Sequence, residues 1–150
     1  MAPFYHKGLR FQCTQCGLCC LYSEGVVYLN ETETAEIAVY LNIPVSEFQS
    51  LYTEIETTTN LRILKSTASG ACVFYQEGRC TIYPVRPLQC RTYPFWPENL
   101  TSRYQWKQTA RECPGIGQGP IISFQTIEHY REQQTTHDQA LLKESSLITK

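Results

Sequence analysis

The run Cys13-Thr14-Gln15-Cys16-Gly17-Leu18-Cys19-Cys20 constrains this chain more than any other stretch, because it packs four of the eight cysteines into eight residues. Cys13, Cys16 and Cys19 follow a C-x2-C-x2-C spacing. Thiols this close along a chain are poorly placed to bridge one another. A tight turn can instead aim their sulfurs at one metal ion or cluster. Gly17 suits such a turn, since a chain curling around an ion often needs a residue tolerant of positive φ. Cys20 directly follows Cys19 and neighbouring side chains diverge, so one of that pair is expected to serve a second site or only the surroundings of the first. The other four cysteines, Cys72, Cys80, Cys90 and Cys113, lie in segments that read as turns or hairpins.

Whether thiols pair or bind metal depends on the compartment. The N-terminal MAPFYHKGLRF has no apolar h-region of the secretory kind, and no apolar run is long enough to span a bilayer. The expectation is a soluble, cytoplasmic protein with no membrane association. In a reducing compartment its cysteines point to metal or redox chemistry rather than to disulfides. A net charge of −1 implies no global electrostatic partner. The local distribution is uneven: residues 11–61 hold seven Glu and no Lys or Arg, whereas 62–111 hold eight Lys or Arg and two Glu. Five of the eight arginines (Arg10, Arg79, Arg86, Arg91, Arg111) lie within four residues of a cysteine. Thiolate sites are net negative, and guanidinium groups nearby stabilise them. Arg86 and Arg91, on either side of Cys90, are expected to surround the metal through charge-assisted hydrogen bonds to sulfur or to nearby carbonyls.

At 150 residues the chain is read as a single domain over 1–150, with a cysteine core at about 11–115 and a polar, helical tail over 120–150. Val26 to Leu29 is a β-prone run. Asn30-Glu31-Thr32-Glu33 reads as an N-cap followed by an acid three residues on, opening a helix to about Leu41. Asn42-Ile43-Pro44 ends it, and Ser46 is placed as the cap of a second helix. This acidic helical pair is read as a packing lid with a solvated Glu face. Leu61–Leu64 alternates as a strand. The segments 71–75 and 80–83 flank Gln76-Glu77-Gly78-Arg79 as a hairpin that would hold Cys72 and Cys80 together. Prolines between 84 and 97 allow only a short helix from about Pro87 to Thr92. Trp106 and its neighbours suggest a strand, and the segment from Cys113 to Pro120 a turn. The expected fold is α+β: a small cysteine-rich domain with short helices, a small antiparallel sheet or hairpin, and irregular loops around the metal.

Two metal chemistries fit these thiols. C-x2-C-x2-C opens the bacterial ferredoxin run, and Cys113-Pro114 supplies the Cys-Pro of its remote ligand. Structural zinc uses C-x2-C equally well and closes a tetrahedron of thiolates. The spacing alone does not choose, and the cysteines could form one site with spare thiols or two sites of four. Three ligands on one turn tilt the reading toward an iron–sulfur cluster, such as one of the [4Fe–4S] type, over zinc. His6, near the run, is read as a surface residue before a ligand. A Cys90 nucleophile with His129 or His137 is a weaker reading, because both histidines sit on a polar helix and are taken as solvated. Aromatics interleave with the cations of 79–111, as in strands that stack nucleic-acid bases. They are read here as core around the metal, which makes nucleic acid an unfavoured partner. An unknown protein partner and the oligomeric state stay open.

The cysteine run, Cys80-Thr81-Ile82-Tyr83, Arg86-Pro87 with Cys90-Arg91, Tyr93-Pro94-Phe95 and Cys113 together resemble the CxxCxxCC cysteine-cluster family, the YkgJ-like group of zinc- or iron-chelating domains, some described as Fe–S proteins. The resemblance runs from about residue 11 to 115, and the tail lies outside it. It implies a small metal-binding domain whose ligands are drawn from Cys13, Cys16, Cys19, Cys20, Cys72, Cys80, Cys90 and Cys113. A related cluster occurs in flagellin lysine methylases, but this chain offers no separate methyl-donor site. The functional expectation is a metal- or cluster-binding protein in electron transfer, redox sensing or metal handling. The alternatives are a cluster-dependent enzyme, methyltransferase-like or oxidoreductase, and a zinc-stabilised interaction module.

Overall fold

The first helix begins where the chain caps itself. Asn30 accepts the Glu33 N–H and the Glu33 side chain accepts the Asn30 N–H, a reciprocal box that satisfies two orphan donors. The computed structural model describes residues 2–14, 26–68 and 70–148. Helix α1 (Glu31–Leu41) ends at Asn42, whose left-handed backbone (φ 57°) closes it. Helix α2 (Val45–Tyr52) follows at once. Pro44, not Ser46, occupies its cap position, and no side chain caps it. The Pro44 carbonyl starts the helix ladder by accepting the Phe48 N–H at 3.0 Å.

Strand β1 (Leu9–Phe11) pairs antiparallel with β6 (Ile116–Ile122) across most of the chain length. Strands β2 (Thr53–Ile55) and β3 (Arg62–Leu64) form a second antiparallel pair, which Tyr28 extends through a single bridge to Ile63. The third pair is a tight hairpin, β4 (Tyr75–Gln76) and β5 (Arg79–Cys80). Its turn residues Glu77 (φ 50°) and Gly78 (φ 80°) both take the positive φ that a type I′ hairpin turn needs. Helix α3 (Leu88–Thr92) starts after Pro87, α4 spans Arg103–Ala110, and α5 (Phe124–Ile148) forms from the polar C-terminal segment. Helices of 5 to 25 residues beside small antiparallel pairs make this an α+β fold.

Two expectations are corrected here. The Trp106 segment is helical, not extended: Ser102 accepts the Gln105 N–H, and that cap outweighs the β preference of Tyr104 and Trp106. Residues 116–122 form a strand rather than a turn. Pairing with β1 overrides the local preference of Gly117, Gly119 and Pro120, and the pair is irregular between Arg10 and Phe11.

Burial divides into two apolar clusters. Leu29, Ile37, Ala38, Phe48, Leu64, Phe74 and Ile82 form one, with Cys72 and Cys80 packed on it. Tyr5, Phe95, Leu100, Trp106 and Ile127 form the other, with Phe11 and Ile116 against it. Fully burying a side chain such as Phe48 stabilises by about 1.5–3 kcal/mol. No helix among the described residues is long and apolar enough to cross a membrane.

The Glu face of the helical pair is not wholly solvated, and His137 is buried rather than solvated. Glu33 and His137 are both buried, and His137 Nε2 lies 2.7 Å from Glu33 Oε1. The Asp138 carboxylate, 3.7 Å from Nδ1, and the Glu33 carboxylate raise the His137 pKa to about 9. Burial pushes the Glu33 carboxyl up, but the His137 contact and the Asn30 and Leu88 N–H groups outweigh it and hold it below the usual range. A folded pKa of about 9 against an ordinary 6.5 means this stabilisation is complete below pH 6.5 and lost as pH rises through about 9. The expected contribution is on the order of 3 kcal/mol. Urea unfolding of wild type and His137→Gln should show a stability difference that shrinks across that window; a difference constant with pH would contradict the pair's charge.

Candidate metal centre

The segments that carry Cys13 and Cys113 are joined by backbone. Where β1 ends, the Gln12 N–H donates to the Gly115 carbonyl at 3.1 Å. A Cβ at Gly115 would stand 2.2 Å from the Gln12 carbonyl oxygen, so only glycine permits that approach. The two chain segments that carry Cys13 and Cys113 are thereby held side by side. Cys113 is buried, and its N–H donates to the Thr109 carbonyl at the end of α4 (3.1 Å).

Cys80 lies on β5 opposite Tyr75, and the Tyr75 N–H returns to the Cys72 carbonyl (2.9 Å), so the small hairpin positions both cysteines. Cys90 lies in α3, with its N–H on the Pro87 carbonyl at 2.9 Å. Its neighbour Gln89 accepts the Tyr28 N–H and donates to the Val26 carbonyl (3.2 and 2.7 Å). This one amide fastens residues 26–28 to the helix that bears Cys90.

Cys13, Cys72, Cys80, Cys90 and Cys113 all line one cavity of about 710 Å³. Cys13 is exposed, Cys72, Cys80 and Cys90 are half-buried, and Cys113 is buried. Leu64, Phe74 and Ile82 of the first apolar cluster and Phe11 beside the second contribute to the wall, so the cavity lies where the two clusters meet. Among the described residues no three His, Cys, Asp or Glu side chains are gathered closely enough to hold an ion by themselves. Cys16, Cys19 and Cys20, with Gly17, lie outside the described residues.

Arg86 lines the cavity, lies 3.8 Å over the Tyr83 ring and donates to the Tyr83 carbonyl (3.1 Å). Arg91 is exposed and donates to the Arg86 carbonyl (3.1 Å). Arg91 thus supports the segment that carries Arg86, while Arg86 faces the cavity. Lys65 and Arg111 also line it, against Glu98 and Glu112, a small excess of cation that would offset thiolate charge. Arg10 is turned to the Gly119 carbonyl. His6 is exposed with its ring nitrogen on the Pro3 carbonyl, and His129 is exposed. Neither of them nor His137 lines the cavity, so the structure does not bring Cys90 together with a histidine.

The donor set fits a thiophilic metal. Thiolates are soft ligands that select zinc, copper(I) and iron–sulfur clusters over hard cations. Two contributors escaped the sequence reading. Glu33 was legible only as a capping acid, and nothing local marks its contact with His137 on α5. Gln89 lies within the Arg86–Arg91 motif, but its bonds to residues 26 and 28 are long-range.

Over residues 12–114 the chain matches the CxxCxxCC family, described as "Putative zinc- or iron-chelating domain". The uncharacterized protein MJ0661 of Methanocaldococcus jannaschii is 33% identical over 93 residues, covering 61% of this chain and 48% of that protein. The chain thus spans about half the length of this curated relative. No solved structure matches. If the Gln12–Gly115 approach sets the spacing of Cys13 and Cys113, Gly115→Ala should lower metal content per chain sharply. Val39→Ala, on the exposed side of α1 (Val39 is 79% exposed), should leave metal content near wild type. Equal metal loss in both variants would contradict this.

Proposed function

This chain belongs to the CxxCxxCC family, and we propose from that premise that it is a thiolate metal protein whose native centre is an iron–sulfur cluster used to carry or sense electrons. The observation that carries the reading is the meeting of five cysteines from four separate segments on one cavity wall. Cys13 and Cys113 are the described ligands of choice, with Cys16 and Cys19 completing the C-x2-C-x2-C turn. Cys20, Cys72, Cys80 and Cys90 are the thiols available to a second ligand set. The turn of three ligands and the Cys113-Pro114 dipeptide favour a cluster over zinc. A cluster, when bound, would supply one-electron chemistry, and zinc would supply a structural tie.

The chain's own residues would do the rest. Arg86 would offset the thiolate charge, and Leu64, Phe74 and Ile82 would keep the local dielectric low, which together tune a bound metal. A second reading, a cluster-dependent catalyst, is favoured by the polar and aromatic groups that share the wall, among them Tyr93, Trp96 and Gln105.

The test is protein purified without oxygen from iron-replete cells, analysed for iron, zinc and acid-labile sulfide together with its visible absorption. The expected result is brown protein that bleaches when Cys13, Cys16 or Cys113 becomes Ser. Colourless protein with stoichiometric zinc would overturn the cluster and leave a zinc protein. Absence of both metals would overturn the metal reading altogether.

A further inference from the structure

Helix α3 carries Cys90 yet has no cap of its own. Pro87 occupies its N-cap position and offers no side-chain acceptor, so the first N–H groups of the helix need a partner from elsewhere. The Leu88 N–H finds one on another helix, donating to Glu33 Oε2 at 2.6 Å. The Glu33 side chain is 7% exposed, and its other oxygen is held by the Asn30 N–H at 3.0 Å and by His137 Nε2 at 2.7 Å. His137 is 4% exposed and comes from α5. A second tie between α3 and α5 runs from the Thr92 hydroxyl to Gln134 Oε1 at 2.7 Å.

We propose that Glu33, clamped by His137, is a remote cap that positions the Cys90 helix, and that α5, outside the segment shared with the family, thereby helps to present Cys90 to the metal centre. The inference rests on the reading of Cys90 as a metal ligand. Glu33 is a positioning residue in this scheme, since it touches the backbone of the ligand-bearing helix and not the sulfur.

The geometry explains why a carboxylate stands here. A buried carboxylate without partners is costly, but three donors converge on this one from three elements. The bond to Leu88 fixes the start of a five-residue helix, and a helix that short cannot hold itself in place. Any tilt of α3 carries Cys90, two residues after Leu88, with it. Gln89 ties the same helix to residues 26–28, so α3 is held from α1, from α5 and from the chain that leaves the cysteine run.

Cobalt(II) binding to the full chain under anaerobic, reducing conditions tests this, with thiolate-to-cobalt charge-transfer absorption as the readout. Partners that orient a ligand typically cost about 10- to 100-fold in metal affinity when removed. Glu33→Ala and His137→Leu are expected to weaken cobalt binding by about that factor. Glu33→Gln, which keeps an acceptor for the Leu88 N–H, should recover most of the affinity, and it serves if Glu33→Ala fails to fold. Tyr5→Phe removes a different tie of α5, the Tyr5–Glu128 hydrogen bond, and should leave cobalt binding unchanged. If Glu33 works through Cys90, the double variant Glu33→Ala/Cys90→Ser should bind no more weakly than Cys90→Ser alone. Full wild-type affinity in Glu33→Ala, equal losses in Tyr5→Phe, or additive losses in the double variant would overturn the positioning role while leaving Cys90 as a ligand. Unchanged cobalt binding in Cys90→Ser would remove Cys90 from the ligand set and overturn the inference with it.

Discussion

The buried carboxylate of Glu33 is the joint on which the described structure turns. It closes the cap of α1, receives the first N–H of α3 and meets the imidazole of α5. These elements come from the beginning, middle and end of the chain. An apolar residue at this position would leave the Leu88 N–H and the His137 ring without their acceptor. Breaking such a buried pair costs about 3–5 kcal/mol, because the partner left behind is neither solvated nor matched. The carboxylate therefore contributes less through net attraction than through the single arrangement in which α1, α3 and α5 each place a donor on it.

The two apolar clusters need that arrangement because neither encloses the cysteine cavity. The first lines the cavity through Leu64, Phe74 and Ile82, the second borders it through Phe11, and five cysteines share the wall along this seam. The backbone contact of Gln12 with Gly115 holds the segments of Cys13 and Cys113, and the β4–β5 hairpin holds those of Cys72 and Cys80. A metal bound by thiolates across this seam would couple its own binding free energy to folding, as in other small metal domains. Cations at the rim, Arg86 foremost, would compensate the charge that several thiolates gather.

Much of this was legible in the residues, and the rest was not for identifiable reasons. Asn30 and Glu33 announce a capping box, Glu77-Gly78 a hairpin turn, and Pro87 the start of a short helix, because each of these signals is local. Trp106 misled because aromatic content favours strands while the deciding group, Ser102, sits outside the aromatic run. Gly117, Gly119 and Pro120 pointed to a turn because the strand they join is set by a partner far away in sequence. His137 looked solvated on a polar helix, and only the fold reveals the carboxylate that buries it. The cysteines are a different case. Their chemistry is carried by residue type, so metal binding can be expected from the sequence, while what the fold adds is that five of them line one cavity. Which of them bind, and in how many sites, depends on sulfur positions that spacing does not encode.

X-ray absorption at the metal edge of anaerobically purified full-length protein tests the central claim most directly, since it counts the atoms bound to the metal without assuming which cysteines supply them. The account predicts a first shell of sulfur alone at about 2.3 Å, as thiolate ligation requires. A shell dominated by nitrogen or oxygen at about 2.0–2.2 Å would contradict it.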